Sequence, residues 1–301
     1  MTSPTISPAS ALMMLALSAI WGGSFFFAEI ALTQVPPLTI TLYRVALALP
    51  LLFLVLRLRG IALPRSARIW GAYLVMGALN NALPFSLIFW GQASIEGGLA
   101  SILNGTAAVF GAVVAGIFLV DERLTARKFS GAALGLLGVA VVIGPDAARD
   151  LDLRSLAQLA IIAAALSYAF AGVWARKHLS AQPAQMNALG MLAGSTILMI
   201  PIALMVDGVP RMDLAPGTWA ALIALAVLST SCAYLLYFAI LRRAGAANLM
   251  LVTLMIPPFA IGLGAAFLDE ALAPSAYLGL AIIAAGILVT DGRVLRSLRR
   301  A

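Results

Sequence analysis

The sequence predicts an all-α integral membrane protein of ten transmembrane helices, arranged as two inverted five-helix repeats. Three observations carry this. The 301 residues are 62% hydrophobic and only 10% charged, against roughly 25% charged in a soluble domain. The polar residues gather in short clusters between apolar runs of about 20 residues, the length that crosses a bilayer as helix. The second half repeats the first at a constant offset of 148 residues. Gly97, Leu103, Gly116, Asp121-Glu122, Leu124, Gly131 and Gly138 recur as Gly245, Leu251, Gly264, Asp269-Glu270, Leu272, Gly279 and Gly286, without a gap. Small residues recur by chance in so apolar a chain. An acidic pair followed by leucine, with glycines at matching offsets on both sides, marks a duplication.

The apolar runs, in order, cover 10–32, 37–57, 67–91, 97–119, 128–145, 154–176, 185–206, 216–241, 246–268 and 274–291. Pro36-Pro37, Pro64, Pro145, Pro183, Pro210, Pro216 and Pro274 fall in or beside the connections, where a missing N–H costs little. Pro50, Pro84, Pro201 and Pro257-Pro258 fall inside runs; membrane helices tolerate them where neighbouring groups satisfy the freed carbonyls. The repeat units are expected at 1–148 and 149–301, joined by the charged linker 145–155. Each holds five spans. Five is odd, so the second unit enters from the opposite face, the inverted arrangement found in secondary transporters.

Lysine and arginine set the orientation. With the N-terminus inside, the cytoplasmic connections and tail hold 15 of the 19: Arg57, Arg59, Arg65 and Arg68; Arg123, Arg127 and Lys128; Arg176 and Lys177; Arg242 and Arg243; Arg293, Arg296, Arg299 and Arg300. The outside loops hold Arg149, Arg154 and Arg211, and Arg44 lies in a span. This is a positive-inside distribution with both termini cytoplasmic. In a Cys232→Ala background, single cysteines at 150 and 211 are expected to react with an impermeant thiol reagent from outside. Those at 65, 125 and 299 are expected to stay unlabelled, and labelling at 299 would overturn the inverted assignment.

The net charge of +7 does not signal nucleic acid, because the basic residues are dispersed over many short loops. The single cysteine, Cys232, permits no internal disulfide and reads as a small core residue. The uncharged N-terminus, Met1 to Ser10, lacks the basic region of a secretory signal, so the first helix is expected to be retained. No His/Cys/Asp cluster has metal-ligand spacing, and no catalytic constellation exists. His178 stands beside Arg176 and Lys177 at a helix end and reads as a solvated residue. Neither an enzyme, a cofactor nor a metal is expected. A lipid-modifying membrane enzyme would need clustered His, Asp or Ser near one interface, and a receptor would bring a soluble module.

Polar side chains inside spans are more informative, since an unpartnered amide in hydrocarbon costs several kcal/mol by rough transfer estimates. Asn80, Asn81, Asn104 and Ser229-Thr230-Ser231 must face other helices or water. Ser229 is the offset partner of Asn81, so polar spots recur in helices 3 and 8. Trp21, Phe25, Phe85, Phe89, Tyr168, Tyr234 and Tyr237 supply aromatics nearby. A pocket of aromatics with a few amides and hydroxyls suits a small, partly apolar solute; ordinary interhelical packing is the alternative for each residue. Trp70, Trp90, Trp219 and Tyr277 lie near span ends, as interfacial anchors do. Two charges lie within spans, Glu29 late in helix 1 and Arg44 early in helix 2. Intramembrane charges tend to pair, so a Glu29–Arg44 ion pair that fixes the hairpin or a gate is expected. The sharper reading makes Glu29 a proton-coupling carboxylate.

The ordered set of motifs resembles the drug/metabolite transporter superfamily, in its ten-helix branch with two EamA-type repeats. It is carried by Trp21-Gly22-Gly23-Ser24-Phe25-Phe26, Arg44-Val45-Ala46-Leu47-Ala48, Phe118-Leu119-Val120-Asp121-Glu122-Arg123-Leu124, Pro257-Pro258-Phe259 and Phe267-Leu268-Asp269-Glu270-Ala271-Leu272. Helix 1 carries Glu29 where many members have a basic residue, and Val109 stands at the offset of Pro257. The resemblance is closest to bacterial amino-acid exporters, those for aromatic amino acids included. It implies a bacterial inner-membrane transporter, expected to be monomeric, whose partners are a small-molecule solute and the lipid bilayer. Export would proceed by alternating access around a central cavity. A carboxylate tied to Arg44 makes a poor proton carrier, so uncoupled movement is expected; the alternative is a proton-coupled drug/metabolite antiporter.

Overall fold

The computed structural model describes residues 7–120, 125–143, 153–249 and 251–291. Ten helices account for nearly all of them: α1 (Pro8–Leu32), α2 (Pro37–Leu58), α3 (Ala67–Gln92), α4 (Gly97–Phe118), α5 (Ala126–Ile143), α6 (Leu153–His178), α7 (Ala184–Val206), α8 (Pro216–Gly245), α9 (Leu251–Phe267) and α10 (Pro274–Asp291). Eight are long and apolar enough to cross a membrane by length and composition, and α9 and α10 are shorter apolar helices. Asp121 and Glu122, the linker acids Asp146, Asp150 and Asp152, and the basic tail lie outside the described residues. Pro8, Pro37, Pro216 and Pro274 each open a helix, where the first N–H has no helical acceptor to lose.

The halves interdigitate. α1 packs on α9 and α4 on both α6 and α9; α2 and α3 pack on α7, α2 on α8, and α5 on α10. These pairs exchange under the 148-residue offset: α1–α9 becomes α6–α4, α3–α7 becomes α8–α2, and α2–α7 and α5–α10 map onto themselves. The α5–α10 crossing shows the exchange in atomic detail. A Cβ on Gly131 would stand 2.6 Å from the Gly286 carbonyl oxygen, and one on Gly286 2.7 Å from that of Gly131. A Cβ on Gly138 would stand 2.9 Å from the Gly279 oxygen, and one on Gly279 2.8 Å from that of Gly138. Backbone touches backbone here, as small residues permit where helices associate in lipid.

Helices α3 and α8 both leave α-helical geometry in mid-span. A π-helical stretch covers Ala78–Ala82 in α3 and Ala224–Cys232 in α8, overlapping positions under the offset. In α3 the cause is Pro84, which cannot donate to the carbonyl four residues back. In α8 hydroxyls support the wider register: Thr230 Oγ1 donates to the Leu225 carbonyl at 2.8 Å and Ser231 Oγ to that of Ala226 at 3.2 Å, each five residues back. Such π segments concentrate at functional sites. They hold Asn80 and Asn81 in one half and Ser229, Thr230 and Ser231 in the other. Helix α4 breaks near Gly105, between stretches ending at Asn104 and starting at Ala107, and α8 ends at Gly245, whose φ of 79° suits only glycine.

Candidate functional site

Arg44 is bonded to the π segment of α8. This side chain rises from α2 and is only 7% exposed. Its Nε donates to Thr230 Oγ1 at 3.0 Å and Nη2 reaches the Ser229 carbonyl at 3.5 Å. The guanidinium carbon lies 3.9 Å above the Phe85 ring and 5.8 Å from that of Phe89. A desolvated stacking contact of this kind is worth about 2 kcal/mol, whereas an arginine at mid-membrane costs about 2.5–3.5 kcal/mol on insertion scales. Stacking therefore offsets much of the burial but supplies no counter-charge. The expected Glu29–Arg44 pair is not formed. The ion pairs among the described residues are Arg154–Glu96 and Arg211–Asp213, and Arg44 meets no carboxylate.

The π segment of α3 is tied to α8 as well: Tyr234 Oη accepts from Asn80 Nδ2 at 3.3 Å and Asn81 Nδ2 at 3.1 Å. Asn81 is fully buried, and its Oδ1 has no partner. Tyr168 on α6 and Tyr234 on α8 both lie close enough to Arg44 to interact electrostatically. α6 is fixed against α3 by Ser167, whose hydroxyl donates to the Leu79 carbonyl at 2.7 Å. Ser229 Oγ donates to the Ile20 carbonyl of α1 at 3.2 Å, beside Trp21, whose ring lies 6.0 Å from that of Tyr237. Most of the expected site residues thus converge: Trp21, Asn80, Asn81, Phe85, Tyr168, Ser229, Tyr234 and Tyr237 form one linked group, with Arg44 at its centre. Phe25 and Asn104 are not joined to it by any described polar or ring contact. Phe25 is a core residue at 5% exposure, and the Asn104 Oδ1 is sealed without a partner.

Glu29 belongs to a second group at one end of the bundle. Gln92 Nε2 donates to the Phe25 carbonyl at 3.0 Å and to Glu29 Oε2 at 3.3 Å, and Glu270 and Glu96 are its charged neighbours. Glu270 shows what the second copy of the acidic pair does. Asp269 takes a left-handed φ of 55°, which a short polar side chain tolerates better than most. The chain then turns back, and the Glu270 N–H donates to the Gly264 carbonyl at 3.2 Å. The Glu270 carboxylate accepts from the Gly97 N–H at 3.0 Å and the Gly98 N–H at 3.1 Å. A carboxylate across free N–H groups at a helix N-terminus satisfies donors that have no helical partner and opposes the helix dipole. Glu270 therefore latches the end of α9 to the start of α4. Gly264 leaves the room, since a Cβ there would enter the Glu270 carboxyl group.

A recess of about 540 Å³ opens among loops, lined by Thr33, Gln34, Pro36, Ala93, Arg211 and Asp213. The Asp213 carboxyl is held below its ordinary range by hydrogen bonds from Arg211, both side chains being exposed. His178 is exposed at the end of α6, its ring 4.0 Å from that of Trp174, as expected of a solvated residue.

The model of the EamA-like transporter family matches this chain twice, over residues 9–144 and 155–290. The chain belongs to that family. Among its EamA relatives, a protein of Escherichia coli K12 described as a probable amino-acid metabolite efflux pump is 27% identical over 92% of this chain and 93% of its own length. The uncharacterized transporter YoaV of Bacillus subtilis is 23% identical over 91% of this chain and 94% of its own. A probable terminal-alkyne amino-acid exporter of Streptantibioticus cattleyicolor is 26% identical over 80% of each. A solved crystal structure shares the fold, with a TM-score of 0.66 over 94% of this chain and 96% of the other at 19% identity. The EamA match accounts for ten apolar helices in duplicated halves and for a small-molecule solute as the partner.

Sequence reasoning missed two contacts here. Gln92 is a lone amide at a span end, a signal present but unused. Glu270 marked the repeat, but its receptor, the Gly97-Gly98 pair that opens the same repeat window, became apparent only when α9 and α4 were seen to meet.

Proposed function

We propose that this protein exports amino acids, aromatic ones among them, across the bacterial inner membrane. Its two halves would rock around the Arg44 group, with both termini in the cytoplasm. The observation that carries the reading is the convergence of aromatic rings, amides and hydroxyls from α1, α2, α3, α6 and α8, helices of both halves, on one buried point. A solute held there would touch both moving bodies, as alternating access requires. The names of the EamA relatives from Escherichia coli and Streptantibioticus cattleyicolor point the same way.

Proton coupling is a second reading, favoured by one observation. Arg44 does not occupy Glu29, whose partner is the Gln92 amide and whose charged neighbours are acids. A carboxyl group without a cation partner is chemically competent to take up and release a proton. Counterflow in proteoliposomes over a panel of amino acids and cationic drugs tests both readings. Exchange of labelled L-phenylalanine is expected without an imposed pH gradient. Uphill accumulation that needs the gradient and is lost in Glu29→Gln would establish the coupled form, and transport of cationic drugs alone would overturn the amino-acid reading.

A further inference from the structure

Arg44 is a cation placed deep in the bundle with no anion beside it. Three features of its surroundings show what is missing. First, its five N–H donors are under-used: Nε and Nη2 make the contacts to Thr230 and Ser229, and Nη1 makes none. Nη1 is not among the sealed, unpartnered atoms of the described residues, which are Asn81 Oδ1, Gln92 Oε1, Asn104 Oδ1 and Arg127 Nε. Nη1 is therefore not wholly sealed, and its hydrogens are left to bond. Second, the Tyr234 hydroxyl oxygen accepts two amide hydrogens. With both lone pairs engaged, its own proton is left to donate, and no described group receives it. Tyr168 makes no hydrogen bond among the described residues, and both tyrosines stand near the guanidinium. Third, Phe85 covers one face of the guanidinium and Thr230 holds its Nε, which fixes the plane of the fork. A planar guanidinium with a free edge matches the two oxygens of a carboxylate.

We propose that Arg44 is the anchor for the solute's carboxylate, with the hydroxyls of Tyr168 and Tyr234 as further donors to it. The proposal rests on the amino-acid reading above and narrows it. The solute must carry a carboxylate, and the protein's buried charge is neutralised only when the solute is bound. Cationic amines are repelled by the same charge, and carboxamides cannot neutralise it.

The test uses the full-length protein in proteoliposomes, with counterflow of labelled L-phenylalanine as the readout. Excess 3-phenylpropionate, which keeps the carboxylate and lacks the amine, is expected to compete. L-phenylalaninamide and phenethylamine are expected not to. Arg44→Gln is expected to raise KM for L-phenylalanine by about 30-fold or more, as loss of a charge-assisted bidentate contact does, and to abolish the discrimination between L-phenylalanine and its amide. Arg44→Lys, which keeps the charge without the fork, should fall between. Equal competition by the amide and the acid in the wild type, a result that needs no variant to fold, would overturn the proposal while leaving amino-acid export standing. So would an Arg44→Gln protein that still rejects the amide. A wild type that carries no amino acid at all overturns the parent reading, and this one with it.

Discussion

Gly264→Ala is expected to slow transport by about tenfold or more while leaving the protein folded and inserted. Alanine is the better helix former, so the backbone of α9 loses nothing. The added methyl group enters the space of the Glu270 carboxyl, the far end of a flexible side chain that can swing away. What it gives up is the pair of bonds to the Gly97 and Gly98 N–H groups. Hydrogen bonds to a charged group contribute about 1.5–3 kcal/mol, so the state in which α9 and α4 are latched should lose a factor of roughly 10–100 in population. Glu270→Ala removes the same bonds by another route. The double variant should then be no slower than either single one, the non-additivity of a shared interaction. Wild-type counterflow in Gly264→Ala would show that the latch plays no part in the cycle. A double variant slowed by the product of the single effects would show that the two residues act independently.

Gly138→Val should damage folding itself. Its side chain would meet the Ile283 N–H at 2.8 Å and the Gly279 carbonyl at 2.9 Å from Cβ alone. These are backbone atoms and cannot rotate aside. Helices α5 and α10 must separate, at a cost of about 1–3 kcal/mol for overpacking, or more where backbones must part. The melting temperature in detergent should fall by roughly 5–10 °C on the usual conversion, and the yield of inserted protein should fall with it. Gly111→Val and Gly172→Val are the controls, since a Cβ at either meets nothing within 4 Å. Equal melting temperatures for all three would dismiss the crossing as a stability element.

Much of the fold was legible because hydrocarbon imposes one-dimensional rules. Span length, proline placement and the 148-residue repeat need no knowledge of which way a side chain points. The polar positions in α3 and α8 were legible for the same reason: an amide or hydroxyl in a span must find a partner, and Asn81 and Ser229 share an offset. The pairing of Arg44 was not. Depth along a hairpin places Glu29 and Arg44 at one level but does not say how each helix is turned. Spans apolar on every side carry no polar stripe from which that rotation can be read. In the structure Glu29 turns toward Gln92 on α3, while Arg44 turns toward Thr230 on α8. The π segments were equally hidden, since register changes depend on where hydroxyls and a proline meet the backbone in three dimensions.

The α5–α10 crossing limits how the molecule can move. Where carbonyls rest on Cα atoms there are no side chains to re-seat, so sliding along that line is blocked and only rotation about it remains. Helices α5 and α10 make most of their contacts with each other, so in the proposed rocking they would serve as the spine about which the other helices turn. The arc swept by any residue then grows with its distance from the spine. In that proposed motion, opening would be widest at the edge remote from α5 and α10. A probe attached there reports the cycle with the largest amplitude, and one attached at Gly131 or Gly286 reports almost none.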